Sequence, residues 1–267
     1  KNILLYDFFF LTWKIFIFKI RLMVSFAAEP VFSLGFFQVT NTFIHTLLVD
    51  GVIISACLYL RKKISIIPNK IQNITELIID TFYNLSESIA GDRGKKIFPY
   101  FMTFFLFILI ANWTALLPGF NVFGIKEHNS LVPILRGATS DVNVTFGLAI
   151  ISIIATHIFS IRTIGIHEYL SRYISINPIF LFIGILEIIS EFTKIVSLGF
   201  RLFGNIFAGE IVLGTVSGLF AFILPLPFLT LEVIVGLVQA LVFSMLTLTF
   251  MAILSTPHHE EAKEVSN

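Results

Sequence analysis

Six ionisable or amide side chains, Glu187, Glu191, Lys194, Arg201, Asn205 and Glu210, share one largely apolar stretch. Arginine keeps its proton in practice, so Arg201 is a permanent positive charge that demands an anionic partner or water. A helix that only anchors a protein in lipid has no use for it. Ionisable groups in such a setting are costly and mark function by default. At 3.6 residues per turn, the seven-residue steps from Glu187 to Lys194 to Arg201 put all three on one helix face. Glu210 is turned about 180° from Arg201 and lies roughly 35 Å from Glu187 along the same helix. Acids near both ends of a span with a fixed cation between them suit two half-paths that do not join. For Glu191 and Lys194 the alternative is an ion pair buried between packed helices. Further along, Glu232 and Gln239 also share a face. In a hairpin turning near Pro225, Glu232 comes level with Glu210, and Gln239 falls nearer Arg201. Two acids at one depth can pass a proton between them. Gln239 cannot titrate, but it can hydrogen-bond Arg201 or a water.

The elements that position these groups follow from composition. Of 267 residues, 56% are hydrophobic and 13% charged, with a mean hydropathy of +0.91. Soluble domains carry about 25% charged residues, so the chain reads as an all-α integral membrane protein. The net charge of +1 points to no nucleic-acid partner. One cysteine, Cys57, excludes an internal disulfide framework and a thiolate metal cluster. No cofactor or metal is expected. His258 and His259, adjacent in a polar tail without a fixed third ligand, read as solvated.

A helix crosses the hydrocarbon in about 20 mostly apolar residues. About five segments qualify: Thr42 to Leu60; Ile97 to Leu117, with Pro99 in its first turn; Asp141, an N-cap, to Ile161; Pro178 to Leu224; and the stretch from Pro227 to before Thr256. The fourth is longer than an upright crossing, which predicts a tilted, bent or broken helix and a long C-terminal hairpin. Gly199, Gly204, Gly209, Gly214 and Gly218 recur along it, either to admit a neighbouring helix or as glycine common in membrane spans. Arg61, Lys62, Lys63, Lys70, Arg93, Lys95 and Lys96 crowd the first connection, which is therefore inside. The loop from Pro118 to Ser140, with Lys126 and Arg136 offset by Glu127, is outside, and the tail at 255–267 is cytoplasmic.

Between the first two spans, Ile71, Ile74, Ile78, Phe82, Leu85 and Ile89 mark one face of an amphipathic helix. Glu76, Asp80 and Glu87 on its polar side fit a partner helix better than anionic lipid. Residues 1–40 form an N-terminal extension, and Ser25 to Glu29 is compatible with a leader cleavage site or an interfacial segment. Asp50 lies inside the first span, either lining an outer path or sitting there at a cost. His45 and His157, near helix ends, read as interfacial, and Asn112 and Trp113 as packing or interface anchors.

The run LGFRLFGNIFAGE, Leu198 to Glu210, resembles the signature of the a subunit of F-type ATP synthases. Ser140 to Thr145 and Gln239-Ala240-Leu241 add to the resemblance, which covers about Asn41 to Leu254, a single membrane domain at 41–254. It implies that Arg201 faces a ring of c subunits. It further implies that Asn205, Glu210 and Gln239 border the ion path, that Glu187 lies near a cytoplasmic half-channel, and that Asp141 and Asn143 stand at the outer entrance. At the position of Glu232 the family varies, often with histidine. The implied partners are the c-ring, the subunit b peripheral stalk, the F1 sector indirectly, and the lipid bilayer. The implied function is a stator of the F0 sector with two offset half-channels for protons. The implied setting is a bacterial inner membrane, with a mitochondrial one as the alternative. No GxxxxGK[ST] phosphate loop occurs, so the chain alone is not a catalyst. A proton-channel subunit of another membrane complex and a secondary transporter are the alternative readings, although no repeat relates the halves. The sequence leaves proton against sodium open.

Overall fold

The computed structural model describes residues 30–34, 37–117, 124–127, 130–133, 135–173, 178–219 and 225–256. The expectations for a leader within residues 1–29 and for the tail beyond Thr256 lie outside these residues. Among the described residues the fold is helical apart from two antiparallel ribbons that the sequence reading did not foresee. One pairs β1 (Pro30–Leu34) with β2 (Phe37–Thr40), and the other pairs β3 (Gly124–Glu127) with β4 (Ser130–Pro133).

The first helix, α1 (Asn41–Lys63), starts at Thr40, whose hydroxyl accepts the Phe43 N–H at 3.3 Å. It ends on Arg61, Lys62 and Lys63, cations at the negative end of the helix dipole. In α2 (Lys70–Ala90) the expected apolar stripe divides. Phe82 packs on Phe101 and Phe105, with ring centroids 5.3 and 4.8 Å apart, while Ile71, Ile74 and Ile78 remain exposed. The second half of α2 docks on the helix that follows, while the first half is tied to the preceding turn by Gln72, whose side chain bonds the Ser65 backbone at 3.1 and 3.2 Å. The corner that follows needs glycine twice. Gly91 has φ +56, and a Cβ on Gly94 would lie 2.7 Å from the Ser86 oxygen and the Glu87 Cα. The next helix, α3 (Gly94–Ala115), therefore begins before the expected Ile97, and Pro99 falls in its second turn.

Asp141 caps α4 (Val142–Ile164), its Oδ1 accepting the Asn143 N–H at 2.9 Å. This helix runs past the expected Ile161, taking Arg162 into its last turn, and ends at Gly165 with φ +88. A short α5 (Ile166–Tyr173) leads to α6 (Pro178–Leu219), and α7 (Pro225–Leu254) completes the hairpin. At 42 residues α6 is unbroken and extends about 63 Å. That is twice the hydrocarbon thickness of about 30 Å, more than an upright crossing needs. Asn41–Lys63, the stretch Lys70–Ala115 that includes α3, Val142–Ile164 and Pro225–Leu254 are long and apolar enough to cross a membrane. The fifth expected crossing is α6, the helix that carries the charged groups.

The core forms where α3 and α7 pack together and α6 lies across α4 and α7. Phe101, Ile108, Leu202, Phe243 and Met251 are fully buried there. Asn112 Nδ2 donates to the Gly236 carbonyl and Trp113 Nε1 to the Val233 carbonyl, both at 3.1 Å, so these two residues tie α3 to α7. The glycines of α6 do not act alike. A Cβ on Gly199 would meet the Phe146 ring at 2.9 Å, and one on Gly209 would overlap the Glu232 carboxyl. Around Gly204 and Gly214 nothing lies within 4 Å.

The bundle has two chemically distinct ends. At one, Arg93 Nη1 donates to the hydroxyls of Ser255 and Thr256 at 3.3 Å. There Arg172 also donates to the carbonyls of Leu254 at 3.4 Å and Thr256 at 3.3 Å. Both basic connections thus meet the end of α7, whose carbonyls favour cations. At the other end lie the 3-10 turn at Ala138–Ser140, Asp141, and the facing parts of α6 and α7.

Candidate functional site

Arg201 sits near the middle of α6 on its exposed surface. Its guanidinium donates to Ser197 Oγ, one turn back, at 3.3 Å, and no acidic partner meets it among the described residues. A groove of about 420 Å³ runs from it towards the start of α6, lined by Ser190, Thr193, Lys194, Ser197 and, from α7, Phe250. Hydroxyls spaced three or four residues apart keep one strip of an apolar helix wettable.

One turn beyond Arg201, Asn205 Nδ2 donates to Gln239 Oε1 at 2.6 Å. Gln239 is buried, and its Nε2 has no partner among the described residues. The amide expected near Arg201 is thus held by Asn205. An orphaned buried donor of this kind is costly unless water or another chain reaches it.

Glu210 and Glu232 come together as a carboxylate pair from α6 and α7, close enough to interact by charge. Glu232 is buried, its carboxyl seated against Gly209. The Ser140 hydroxyl is within hydrogen-bond reach of Glu210, and the Arg136 guanidinium is near enough to act on it by charge. The position of a Gly137 Cβ would be 3.3 Å from Glu210 Oε1. Arg136 itself is 7% exposed and donates from Nη2 to the Ser140 carbonyl at 3.4 Å. Read from sequence, Arg136 was one of two cations in an outer loop. No local pattern betrays its burial, since the carboxylate it acts on by charge is on a helix more than seventy residues later.

Asp141 is also buried, with Oδ2 accepting from Thr42 Oγ1 at 3.0 Å, while Asn143 is exposed at the start of α4. Next to them the expected interfacial His45 is instead fully buried, which corrects that reading. The backbone N–H of Ala138 donates to its Nδ1 at 2.8 Å, so Nδ1 carries the lone pair and Nε2 the proton. Nε2 then donates to Thr114 Oγ1 at 2.9 Å. His45 is a neutral clamp joining α1, α3 and the turn before α4. Asp50, one helical turn and more away, is half-buried without a hydrogen-bond or ion-pair partner among the described residues.

At the opposite end, Glu191 and Lys194 form the ion pair that the sequence held as an alternative, at 2.7 Å. Lys194 also lies 4.7 Å above the Phe250 ring. Glu191 Oε2 lies 3.7 Å from His157 Nε2, and His157 Nδ1 shares a hydrogen with the Tyr169 hydroxyl at 2.9 Å. Burial pushes the Tyr169 phenol up from its ordinary value, which keeps it a donor. His157 is a partnered, part-exposed polar group between α4, α5 and α6. Glu187 meets Arg172 Nε at 3.9 Å. The acids at 187 and 210 thus stand at opposite ends of the bundle with Arg201 between them. Among the described residues no group of three His, Cys, Asp or Glu could hold a metal ion.

The arrangement was compared with known proteins. A model of the family described as ATP synthase A chain matches residues 41–252. The ATP synthase subunit a of Moorella thermoacetica is 33% identical over 83% of this chain and 94% of its own length. That of Geotalea daltonii is 32% identical over 78% and 84%, and that of Legionella pneumophila is 31% identical over 85% and 92%. With a family match across most of its length and three relatives above 30% identity, a permanent cation exposed near the middle of a 42-residue apolar helix, and acids on both sides of it, the chain belongs to the ATP synthase subunit a family.

Proposed function

We propose that this chain is the static F0 subunit that carries protons to and from a rotating ring of c subunits, through two half-channels that never join. The observation that carries the reading is Arg201. A permanent cation on the exposed face of a membrane helix, with no acid among the described residues beside it, cannot be left to lipid. A carboxylate presented by a neighbouring subunit answers that requirement.

Protons enter at the end marked by Asp141, Asn143, Glu210 and Glu232 and neutralise a ring carboxylate. The neutral carboxyl can then travel through lipid, which a bare carboxylate cannot do cheaply. On returning it meets the groove lined by Ser190, Lys194 and Ser197, loses its proton towards Glu187, and is held as an anion by Arg201. The fixed charge also bars direct passage between the halves. The Asn205–Gln239 pair keeps a polar patch beside the arginine. Each charge moved down the potential releases about 2.3 kcal/mol per 100 mV.

ATP chemistry belongs to other subunits of the assembly. The exposed isoleucines of α2 are the surface we assign to the subunit b stalk. The bacterial relatives favour a bacterial inner membrane as its location. Arg201→Ala in the assembled enzyme tests the reading: proton-driven ATP synthesis in vesicles disappears while the complex still assembles. Normal synthesis in that variant refutes it.

A further inference from the structure

We propose that the groove between the end of α1 and the start of α2 binds one anionic phospholipid of the inner leaflet, with an acyl chain along its apolar wall and the phosphate on Lys63 and Lys70. The inference rests on placing the basic connection at the inner surface. It is independent of the proton path, none of whose groups lines this groove.

The groove has a volume of about 530 Å³, within the range of small-molecule sites. Tyr59, Leu60, Ile64, Ile71 and Ile79 supply its apolar wall, and Lys63 and Lys70 line the same space. Such a lining suits a molecule that is part hydrocarbon and part anion. Its place in the membrane decides which one. The helix α1 is long and apolar enough to cross the bilayer, and the groove begins in its last two turns, so lipid tails lie at its mouth. The turn that follows carries Ile64, Ile66 and Ile67, all exposed, an apolar surface suited to the boundary between headgroups and acyl chains. Arg61 and Lys62 adjoin Lys63 at the same helix end, so four cations stand within ten residues. A cluster of that kind just inside a span attracts anionic headgroups.

Hydrogen bonds hold the groove in shape. Lys63 Nζ donates to the Tyr59 hydroxyl at 2.7 Å and lies 4.6 Å from the centre of that ring. Its ammonium is thus fixed against the wall by a bond that uses one of its three hydrogens. Gln72 accepts the Ser65 N–H at 3.2 Å and donates to the Ser65 carbonyl at 3.1 Å, tying the turn to α2. Glu76 is the one acid among the lining residues, and Gln72 Nε2 donates to its Oε1 at 2.8 Å. Two lysines against one carboxylate leave the lining net positive.

The faces of α2 keep this site apart from a protein partner. Ile74 and Ile78, assigned above to the stalk, do not line the groove. At 3.6 residues per turn, Gln72, Thr75 and Ile79 point about 110° away from them. Asp80 and Glu87, the acids that disfavour anionic lipid, are turned about 100° the other way. The groove lies between those two faces, and its cations come from α1 and the first residue of α2.

The test uses the purified whole ATP synthase and a phosphatidylglycerol that carries a photoreactive diazirine on one acyl chain. Light should label the segment 59–79, and plain phosphatidylglycerol should compete at concentrations where phosphatidylcholine does not. Lys63→Ser combined with Lys70→Ser should raise the half-labelling concentration on the order of thirtyfold, about fivefold per lysine. Arginine at both positions should keep the parent value. Ile79→Trp, which fills the groove and leaves both charges, should abolish labelling of the segment. Equal competition by phosphatidylcholine overturns the inference, and so does a half-labelling concentration unmoved in the double serine variant. Should that variant fail to assemble, undiminished labelling in Ile79→Trp overturns it instead. A segment that stays unlabelled while Thr75→Cys cross-links to another subunit shows a protein in the groove, and the inference fails.

Discussion

Gly209→Ala separates stability from transport. A Cβ at this position would overlap the Glu232 carboxyl, touching both its oxygens and its Cδ. The obstacle is the far end of a flexible side chain, so the helices need not part. Instead Glu232 must swing away from Glu210, at about 0.5–1.5 kcal/mol for a strained rotamer. Alanine in place of glycine inside a helix returns roughly 0.5–1 kcal/mol. The two terms nearly cancel, so the thermal midpoint of the assembled complex should move by no more than a few degrees. Function has no such compensation. On the proposed proton path, displacing one member of the pair by an ångström costs on the order of ten- to a hundredfold in rate. ATP synthesis in vesicles should fall by that factor in Gly209→Ala and be unchanged in Gly214→Ala, where nothing lies within 4 Å. Equal rates in the two variants, or a collapse of assembly in Gly209→Ala alone, would refute the reasoning.

Further outcomes follow from other contacts. Asp141→Ala removes an N-cap and a buried acceptor for Thr42. It should cost about 1–3 kcal/mol, visible as a lower melting temperature of the purified complex. Gly94→Ala drives a Cβ into the backbone of Ser86 and Glu87, where neither side can rotate away. A loss of about 1–3 kcal/mol should reduce the amount of subunit found in membranes. Gly204 lies three residues beyond Arg201 on the same exposed face. A Cβ on Gly204 meets nothing within 4 Å, so Gly204→Leu should leave the isolated subunit as stable as before and impair only the assembled enzyme, by at least tenfold in synthesis rate.

Much of this architecture was legible because it is local. Apolar length marked the spans, the three- and four-residue spacing marked α2, and Asp141 announced the start of α4. Spacing alone also put Glu187 and Glu210 at opposite ends of one helix. What escaped depended on contacts between distant residues. His45 looked interfacial because it is near a helix start, yet its partners are 69 and 93 residues away. Arg136 looked like loop charge because nothing in its neighbourhood reveals the carboxylate it acts on by charge. The glycines of α6 could admit a neighbouring helix or be incidental, and the five-residue steps from Gly199 to Gly214 turn about 140° each. They therefore point in different directions, two into contacts and two into open space. The ribbons β1–β2 and β3–β4 carry no amphipathic pattern strong enough to stand out from apolar and loop sequence.

The claim on which the rest depends is that the exposed face around Arg201 is covered by a rotor. Cys57 is the one native cysteine, so in a Cys57→Ser background Gly204→Cys reports on that face alone. In the assembled complex, oxidation should join this position by a disulfide to cysteines introduced along the outer helix of the c subunit. A Gly204→Cys thiol that forms no such bond, and reacts with a lipid-soluble maleimide as fast in the complex as in the isolated subunit, would contradict the account.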